Sequence, residues 1–434
     1  MPSDIHAEAS TKILAAIYNR VGSDGRMHAF FTGPNRFQQN IGVSIFYRRE
    51  AFTRAILFIR QNGPLHLRLL SVGKVWGMLT SFIGDNYWCI ARETAFKDFE
   101  GPVGDIISTE AKRAFTEALA VSAIFSPIPE TTLFPLVALR VADDFESDAF
   151  YLSTPATLGK YIAKPKQELW LCPEFFPPMK DWKGKKEVPN AWLGVKSPLD
   201  ELSIKAKSVI LGAIALTPMP RYRHMFSMRQ NFGGRCVIRA GGLSTSFGEP
   251  NMPSMMHDIV ITSADHAWLA LLSEKLSAGD RPTRRQMTAL EYFYKAWFLD
   301  PPDRFPILCM VIDAIVGEQS QATQAVINGV RTIVGDHVDA ERLGLLMRLR
   351  GSVIHGGAPN VYESSKYGKY YIEYGQDPIF DLELIVARCL TKHIFGEALQ
   401  THADPNAEIL QQGQAIGRLP ESLYEDTILG SMPL

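Results

Sequence analysis

From residue 284 to about 399 the sequence follows helical spacing, and this limits the folds open to the chain more than any other feature. RRQMTALEYFYKAWFLD (284–300), DRFPILCMVIDAIVGEQ (303–319), QATQAVINGVRTIV (321–334), DAERLGLLMRLRGSVIH (339–355) and DLELIVARCLTKHIFGEAL (381–399) read as five helices of a bundle. Asp303 is read as the N-cap of the second, with Pro306 tolerated in its first turn. Between the fourth and fifth, VYESSKYGKYYIEYGQ (361–376) is tyrosine-rich and is expected to form a packed hairpin or flap.

The chain before residue 281 lacks this texture. Residues 5–20 predict a short amphipathic helix, and 108–125 a second one opening at Ser108. VSIFYRR (43–49), AILFIRQ (55–61), LHLRLLSV (65–72), YWCIARE (87–93) and LFPLVALRV (133–141) read as strands from their alternation and their β-branched or aromatic content. The prolines of 164–199 break helix and strand alike and mark a connector. An apolar helix at 201–217 is stopped by Pro218 and Pro220. With 434 residues the chain is too long for one core. The expected architecture is α+β and multidomain: a mixed region at 1–165, a Pro/Lys-rich connector and basic intermediate region at 166–280, an all-α bundle at 281–400, and a polar, partly disordered tail at 401–434.

The net charge of −1 advertises no polyanion partner, so any nucleic-acid contact must be local. The densest basic stretch is RYRHMFSMRQNFGGRCVIRAGG (221–242). There Arg221, Arg223, His224, Arg229, Arg235 and Arg239 interleave with Tyr222, Phe226 and Phe232, a composition suited to single-stranded RNA. The alternative is a pair of strands with solvated arginines, separated by Gly233-Gly234 and ended by Gly241-Gly242.

Cys89, Cys172, Cys236, Cys309 and Cys389 are scattered, with no Cys-x-x-Cys and no histidine cluster. This argues against zinc and against a disulfide framework, and suits a reducing cytoplasm. The N-terminus carries no apolar segment of signal-peptide length, and the longest apolar run, VILGAIAL (209–216), is far short of the ~20 residues that span a bilayer. A soluble cytoplasmic protein without membrane contact is expected. G-x-x-x-x-G-K-[ST], G-x-S-x-G and H-E-x-x-H do not occur. An enzyme seated in 1–280 would have to draw on groups such as Asp265-His266 or MPSMMHD (252–258), which have no recognisable spacing.

MRLRGSVIHGG (347–357) carries the chemistry. Leu345, Leu346, Leu349, Val353 and Ile354 hold its helix in the bundle, and Arg350 precedes His355 by five positions. A histidine titrates near neutrality and can take a proton from a ribose 2′-hydroxyl or deliver one to the leaving 5′-oxygen. An arginine fork can hold phosphate oxygens and stabilise charge in the transition state. Five positions on an ideal helix turn the second side chain about 140° from the first. Either the helix loosens near Gly351, or Arg350 reaches round, or a second subunit completes the site. The plain alternative is an exposed arginine and a histidine capping the last carbonyls.

This string resembles the R-x4-6-H motif of the HEPN superfamily, and in particular its Apea-like branch. The Arg-Ser-x-x-x-His-Gly core of that branch is matched by Arg350, Gly351, Ser352, His355 and Gly356, with a small shift around the serine. FPILCMVIDAIVGE, through Asp313, resembles the family's acidic upstream helix, and ALEYFYKAWFLDPPDRF (289–305) its opening helix and turn. The resemblance covers residues 284–400. It implies a bundle that homodimerises, with the two motifs meeting at a cleft on the two-fold axis. It also implies a metal-independent, cofactor-free endoribonuclease of the antiphage-defence or toxin kind, leaving a 2′,3′-cyclic phosphate on RNA. His355 would be the general acid/base and Arg350 the phosphate contact. Asp313 would orient the pair, or would be a buried carboxylate on Arg348 or Arg388. Tyr367 among the neighbouring tyrosines could stack bases, and Lys366 and Lys369 could meet phosphates. The region before the bundle would recognise RNA or a phage-derived trigger. Two positions depart from the family: Gly351 follows the motif arginine where active members often carry a polar residue, and Gly357 stands where some toxins carry a modifiable tyrosine. The alternative function is a non-catalytic HEPN module for dimerisation or nucleotide binding, with a partner-recognition region before it.

Overall fold

The computed structural model describes residues 4–31, 41–162, 189–229, 231–239, 242–317, 323–420 and 424–430. Cys172 and most of the proline-rich connector lie outside them. The chain divides into two compact units, Met1–Pro129 and Glu130–Leu434.

The first unit combines helices with a small antiparallel sheet. Helix α1 (Asp4–Ala16) leads into β1 (Ile17–Tyr18); β2 (Gly25–Phe31) and β3 (Ile41–Tyr47) complete the sheet in the order β1-β3-β2. The remaining elements are helical: α2 (Arg49–Asn62), α3 (Leu65–Leu69), α4 (Val72–Asn86), α5 (Trp88–Thr94), α6 (Val103–Ile106) and α7 (Thr109–Ala120). VSIFYRR is strand as expected, but AILFIRQ, LHLRLLSV and YWCIARE are helices. In α2 the buried residues Phe52, Ala55, Ile56 and Ile59 fall at i, i+3, i+4 and i+7, a helical stripe. Reading only the apolar middle of that stripe hides its period. Each of its large side chains gains about 1.5–3 kcal/mol on burial. Helix α7 opens at Ser108, whose hydroxyl accepts from Ala111 N at 3.2 Å.

The second unit begins with a six-stranded sheet in the order β10-β9-β4-β8-β7-β6. Its strands are β4 (Glu130–Leu136), β6 (Phe145–Glu146), β7 (Phe150–Ser153), β8 (Ala191–Ser197), β9 (Gly233–Arg239) and β10 (Gly242–Pro250). Two short strands, β5 (Leu139–Val141) and β11 (Ile259–Ile261), pair in parallel apart from it. Pro135 is tolerated in β4 because pairing with β9 stops at Leu133, and the Asn251 side chain takes over by donating to the Pro135 carbonyl at 3.1 Å.

Helices follow: α8 (Asp200–Ile214), before β9, and then α9 (His266–Ser277), α10 (Arg281–Trp297), α11 (Pro301–Val316), α12 (Thr323–Val334), α13 (Ala340–Ile354), α14 (Ser365–Tyr374), α15 (Pro378–Leu390) and α16 (Ala407–Ala415). The five bundle helices expected from spacing are α10 to α13 and α15. Asp280 caps α10 through Thr283 N at 2.8 Å and Asp339 caps α13 through Glu341 N at 2.8 Å, each worth about 1 kcal/mol. Helix α11 starts earlier than read. Asp300 occupies its N-cap position, Asp303 lies in its first turn, and Pro306 sits inside the helix, where its missing donor leaves the Pro302 carbonyl without a helical partner. The tyrosine-rich segment is not a hairpin but α14, opened by Ser364 and closed by Gly375 at φ +66°.

No break separates sheet from bundle. One hydrophobic core runs from Phe134, Leu193 and Val195 of the sheet through Ile210 and Ile214 of α8 to Leu290, Trp297, Ile312, Leu346 and Leu384 of the helices. The boundaries placed near 165 and 280 therefore have no counterpart in this core, because apolar faces on both sides of 280 cover each other. Helices α8 and α10 approach so closely that a Cβ on Gly212 would strike the Leu290 carbonyl oxygen. The polar tail also joins in, with Tyr424, Ile428 and Leu429 buried. Among the described residues no helix is long and apolar enough to cross a membrane.

Candidate active site

The motif lies at the C-terminal end of α13. Leu345, Leu346 and Leu349 are buried and fix its inner face, so Arg350 emerges half-buried at the rim. Arg350 donates through Nη2 to Asp313 Oδ2 at 2.5 Å. Asp313 lies in the last turn of α11, and neither Arg348 nor Arg388 takes it. The neighbouring carbonyls are held by Arg285 of α10, whose Nε donates to Ala314 O at 3.0 Å and whose Nη2 donates to Asp313 O at 3.2 Å. The carboxyl end of α11 is thus tied to α10 and to α13 by two arginines. One turn before Asp313, burial drives the Cys309 thiol well above its usual range and keeps it protonated.

His355 is the residue at which α13 ends, with φ −95° and ψ 14°. Gly356 follows at φ +73°, the left-handed conformation that terminates a helix and that glycine adopts without strain. The chain then folds back: Ala358 N donates to Ser352 O at 3.0 Å, and the Ser364 hydroxyl donates to Ser352 Oγ at 3.1 Å. Lys366 Nζ donates to Arg348 O at 3.1 Å. These bonds satisfy carbonyls of the last turns, leaving the His355 ring exposed, without a hydrogen bond or ion pair among the described residues. The helix remains regular through Gly351, whose Cβ position lies 4.0 Å from His355 Cδ2. Among the described residues no hydrogen bond or ion pair joins Arg350 to His355.

Other expected binding residues sit around this end. Lys369 is exposed on α14, while Tyr367 packs edge-to-face on Tyr362 at 5.0 Å. Tyr370 is buried and donates to Asp381 Oδ2 at 2.5 Å. Arg342 Nε reaches the same oxygen at 2.8 Å, and Ile428 N donates to Asp381 Oδ1 at 2.9 Å. This network, which the sequence reading missed, locks the N-terminal turn of α13 to α14 and α15 at the end of the helix away from the motif.

The basic stretch 221–242 is not a strip. Arg221 is paired with Asp404, Arg235 forks onto Asp200 with two bonds of 2.7 Å, and Arg239 meets Glu130 Oε2 at 2.6 Å. Arg229 shares Asp258 with Arg140. Arg223 is buried on Glu383 at 2.8 Å, with His224 Nε2 at 2.8 Å on the other carboxylate oxygen and Arg304 at 3.5 Å from that oxygen. Burial alone would raise the Glu383 carboxyl, but His224, Arg223 and Arg304 hold it down, to about 2. Burial lowers His224, which suits a neutral ring donating one N–H. Nor do Gly233 and Gly234 separate two strands; they open β9, which pairs with β10 beyond the stretch. None of these carboxylate partners is near in sequence, so composition alone could not show them.

No protein-family model, curated protein or solved structure matches the chain.

Proposed function

We propose that the helical part of the second unit is a HEPN-type, metal-independent endoribonuclease that works as a homodimer. The observation that carries this reading is the partly exposed Arg350–Asp313 pair one and a half turns before an exposed His355 whose ring has no hydrogen bond or ion pair among the described residues. His355 takes the proton of the 2′-hydroxyl or supplies one to the departing 5′-oxygen, and its exposed position gives RNA access. Arg350 holds the non-bridging oxygens while charge builds on phosphorus, with Asp313 setting its position. The 2′-oxygen displaces the 5′-oxygen, leaving a 2′,3′-cyclic phosphate and a 5′-hydroxyl. Arg350 and His355 leave the helix on different sides, so a second copy completes the site. Ile354 and Tyr362, both exposed around this helix end, supply apolar surface for that copy. The role fits an antiphage or toxin effector in which the preceding residues sense a trigger.

The test is cleavage of labelled RNA in EDTA by the wild type, His355→Ala and Arg350→Ala, with folding and dimerisation checked in parallel. Cutting by the wild type alone, with cyclic-phosphate ends, supports the nuclease. A second reading, a non-catalytic dimerisation module, is favoured by Gly351 directly after Arg350 and by the lack, among the described residues, of any hydrogen bond or ion pair joining Arg350 to His355. It is the correct one if the wild type stays inert with lysate from phage-infected cells and His355→Ala dimerises normally.

A further inference from the structure

A cleft of about 880 Å³ opens beside the parallel β5–β11 pair, with residues 398–405 as its other wall. It lies apart from the Arg350–His355 helix end in sequence and shares no residue with it. Arg140 and Arg229 both reach Asp258, the first by Nε to Oδ2 at 2.7 Å and the second by Nη2 to Oδ1 at 2.7 Å. One carboxylate cannot neutralise two guanidiniums, and each guanidinium spends a single donor group on it. Arg229 Nε has no hydrogen-bond partner among the described residues.

Deeper in the cleft Asp265 holds His402, Nε2 to Oδ1 at 2.9 Å. The same carboxylate accepts from Thr262 N at 2.9 Å and from Trp268 Nε1 at 2.9 Å. This anchoring fixes the imidazole in one orientation, with Nδ1 as its available nitrogen. The layering of charge decides what the cleft attracts. The side chains of Arg140, Arg229 and His402 are 67%, 32% and 27% exposed, whereas those of Asp258 and Asp265 are 9% and 7%. Asp258 is therefore sunk beneath the two guanidiniums, and the face that they offer to solvent is positive. His257, edge-to-face with Tyr222 at 5.1 Å, adds an aromatic surface to the lining.

We propose that this cleft binds a phosphate-bearing small molecule, with Arg140 and Arg229 on the phosphate oxygens and the ring of His402 lining the wall beside them. Arginine forks match phosphate geometry. The volume falls within the roughly 300–1,000 Å³ of small-molecule sites, leaving room for a body of nucleoside size behind the phosphate. The site stands independently of the nuclease reading, since binding is measured without RNA.

The experiment is calorimetric titration of the full chain with inorganic pyrophosphate. The wild type is expected to bind saturably with one site per chain, and Arg140→Gln and Arg229→Gln to bind about tenfold more weakly or worse. Arg140 is mostly exposed, so its variant keeps the fold, and circular dichroism verifies this for both. Arg113→Gln, on a helix of the first unit, controls for loss of net charge and is expected to bind as the wild type does. Absence of saturable binding up to about 10 mM pyrophosphate overturns the proposal. So does unchanged affinity in both cleft variants, or an equal loss in Arg113→Gln.

Discussion

Arg350 Nη2 and Asp313 Oδ2, 2.5 Å apart, join the last turn of α13 to the last turn of α11. Both side chains are partly exposed, at 26% and 39%, so solvent screens the pair. Asp313→Asn is expected to change unfolding free energy by less than about 1 kcal/mol in urea titrations. On the proposed nuclease reading, RNA cleavage should nevertheless fall by about tenfold or more, because Arg350 loses its fixed position. An activity loss matched by an equally large loss of stability would contradict a positioning role for Asp313.

Gly356 ends the helix at φ +73°, with open space where a side chain would go. The cost of Gly356→Ala is therefore backbone strain alone, about 1 kcal/mol, with Gly356→Asn milder. Thermal melts of the three proteins should rank glycine, asparagine, alanine. Because the strain sits directly after His355, on the proposed nuclease reading the alanine variant should also cut RNA more slowly.

Glu383 lies among Arg223, His224 and Arg304, and its carboxyl is held down from 4.5 to about 2. A depressed folded-state value means that its contribution is fully present above the unfolded value and is lost as pH falls through the folded one. Stability should thus drop between about pH 4.5 and pH 2, with part of that slope absent in Glu383→Gln. At neutral pH that variant leaves buried arginines uncompensated and should lose about 3–5 kcal/mol, measured by denaturant titration.

Tyr370→Phe removes the hydroxyl that donates to Asp381 and accepts from Arg342 Nε at 3.0 Å. All three groups are buried, so the loss is expected at about 1–3 kcal/mol. A cost near zero in chemical denaturation would mean that the network does not brace α13.

The bundle helices were legible because each carries a repeating apolar stripe, and some a capping aspartate as well, as Asp339 and Leu343, Leu346 and Leu349 show in α13. The short helices of the first unit were not, since LHLRL spans barely one turn and offers no period to read. Asp313 could be picked out as an acid in an apolar run, but its partner Arg350 is 37 residues away. The distances in sequence are longer still for Arg223 and Glu383, 160 residues apart, and for Asp265 and His402, 137 apart. Composition showed the arginines of 221–242 as a surface; only tertiary pairing shows them as struts.

The apolar core that runs unbroken from β4 to α15 has a consequence for how this unit melts and how it can be cut. Strands and helices that cover each other's apolar faces lose that cover together, so the unit should unfold in one cooperative transition. A fragment starting at Arg281 would keep Arg350 and His355 yet leave Leu290 facing water where α8 had been, and Trp297 Nε1 without the Arg223 carbonyl. Such a fragment would aggregate, and its silence in a cleavage assay would say nothing about His355.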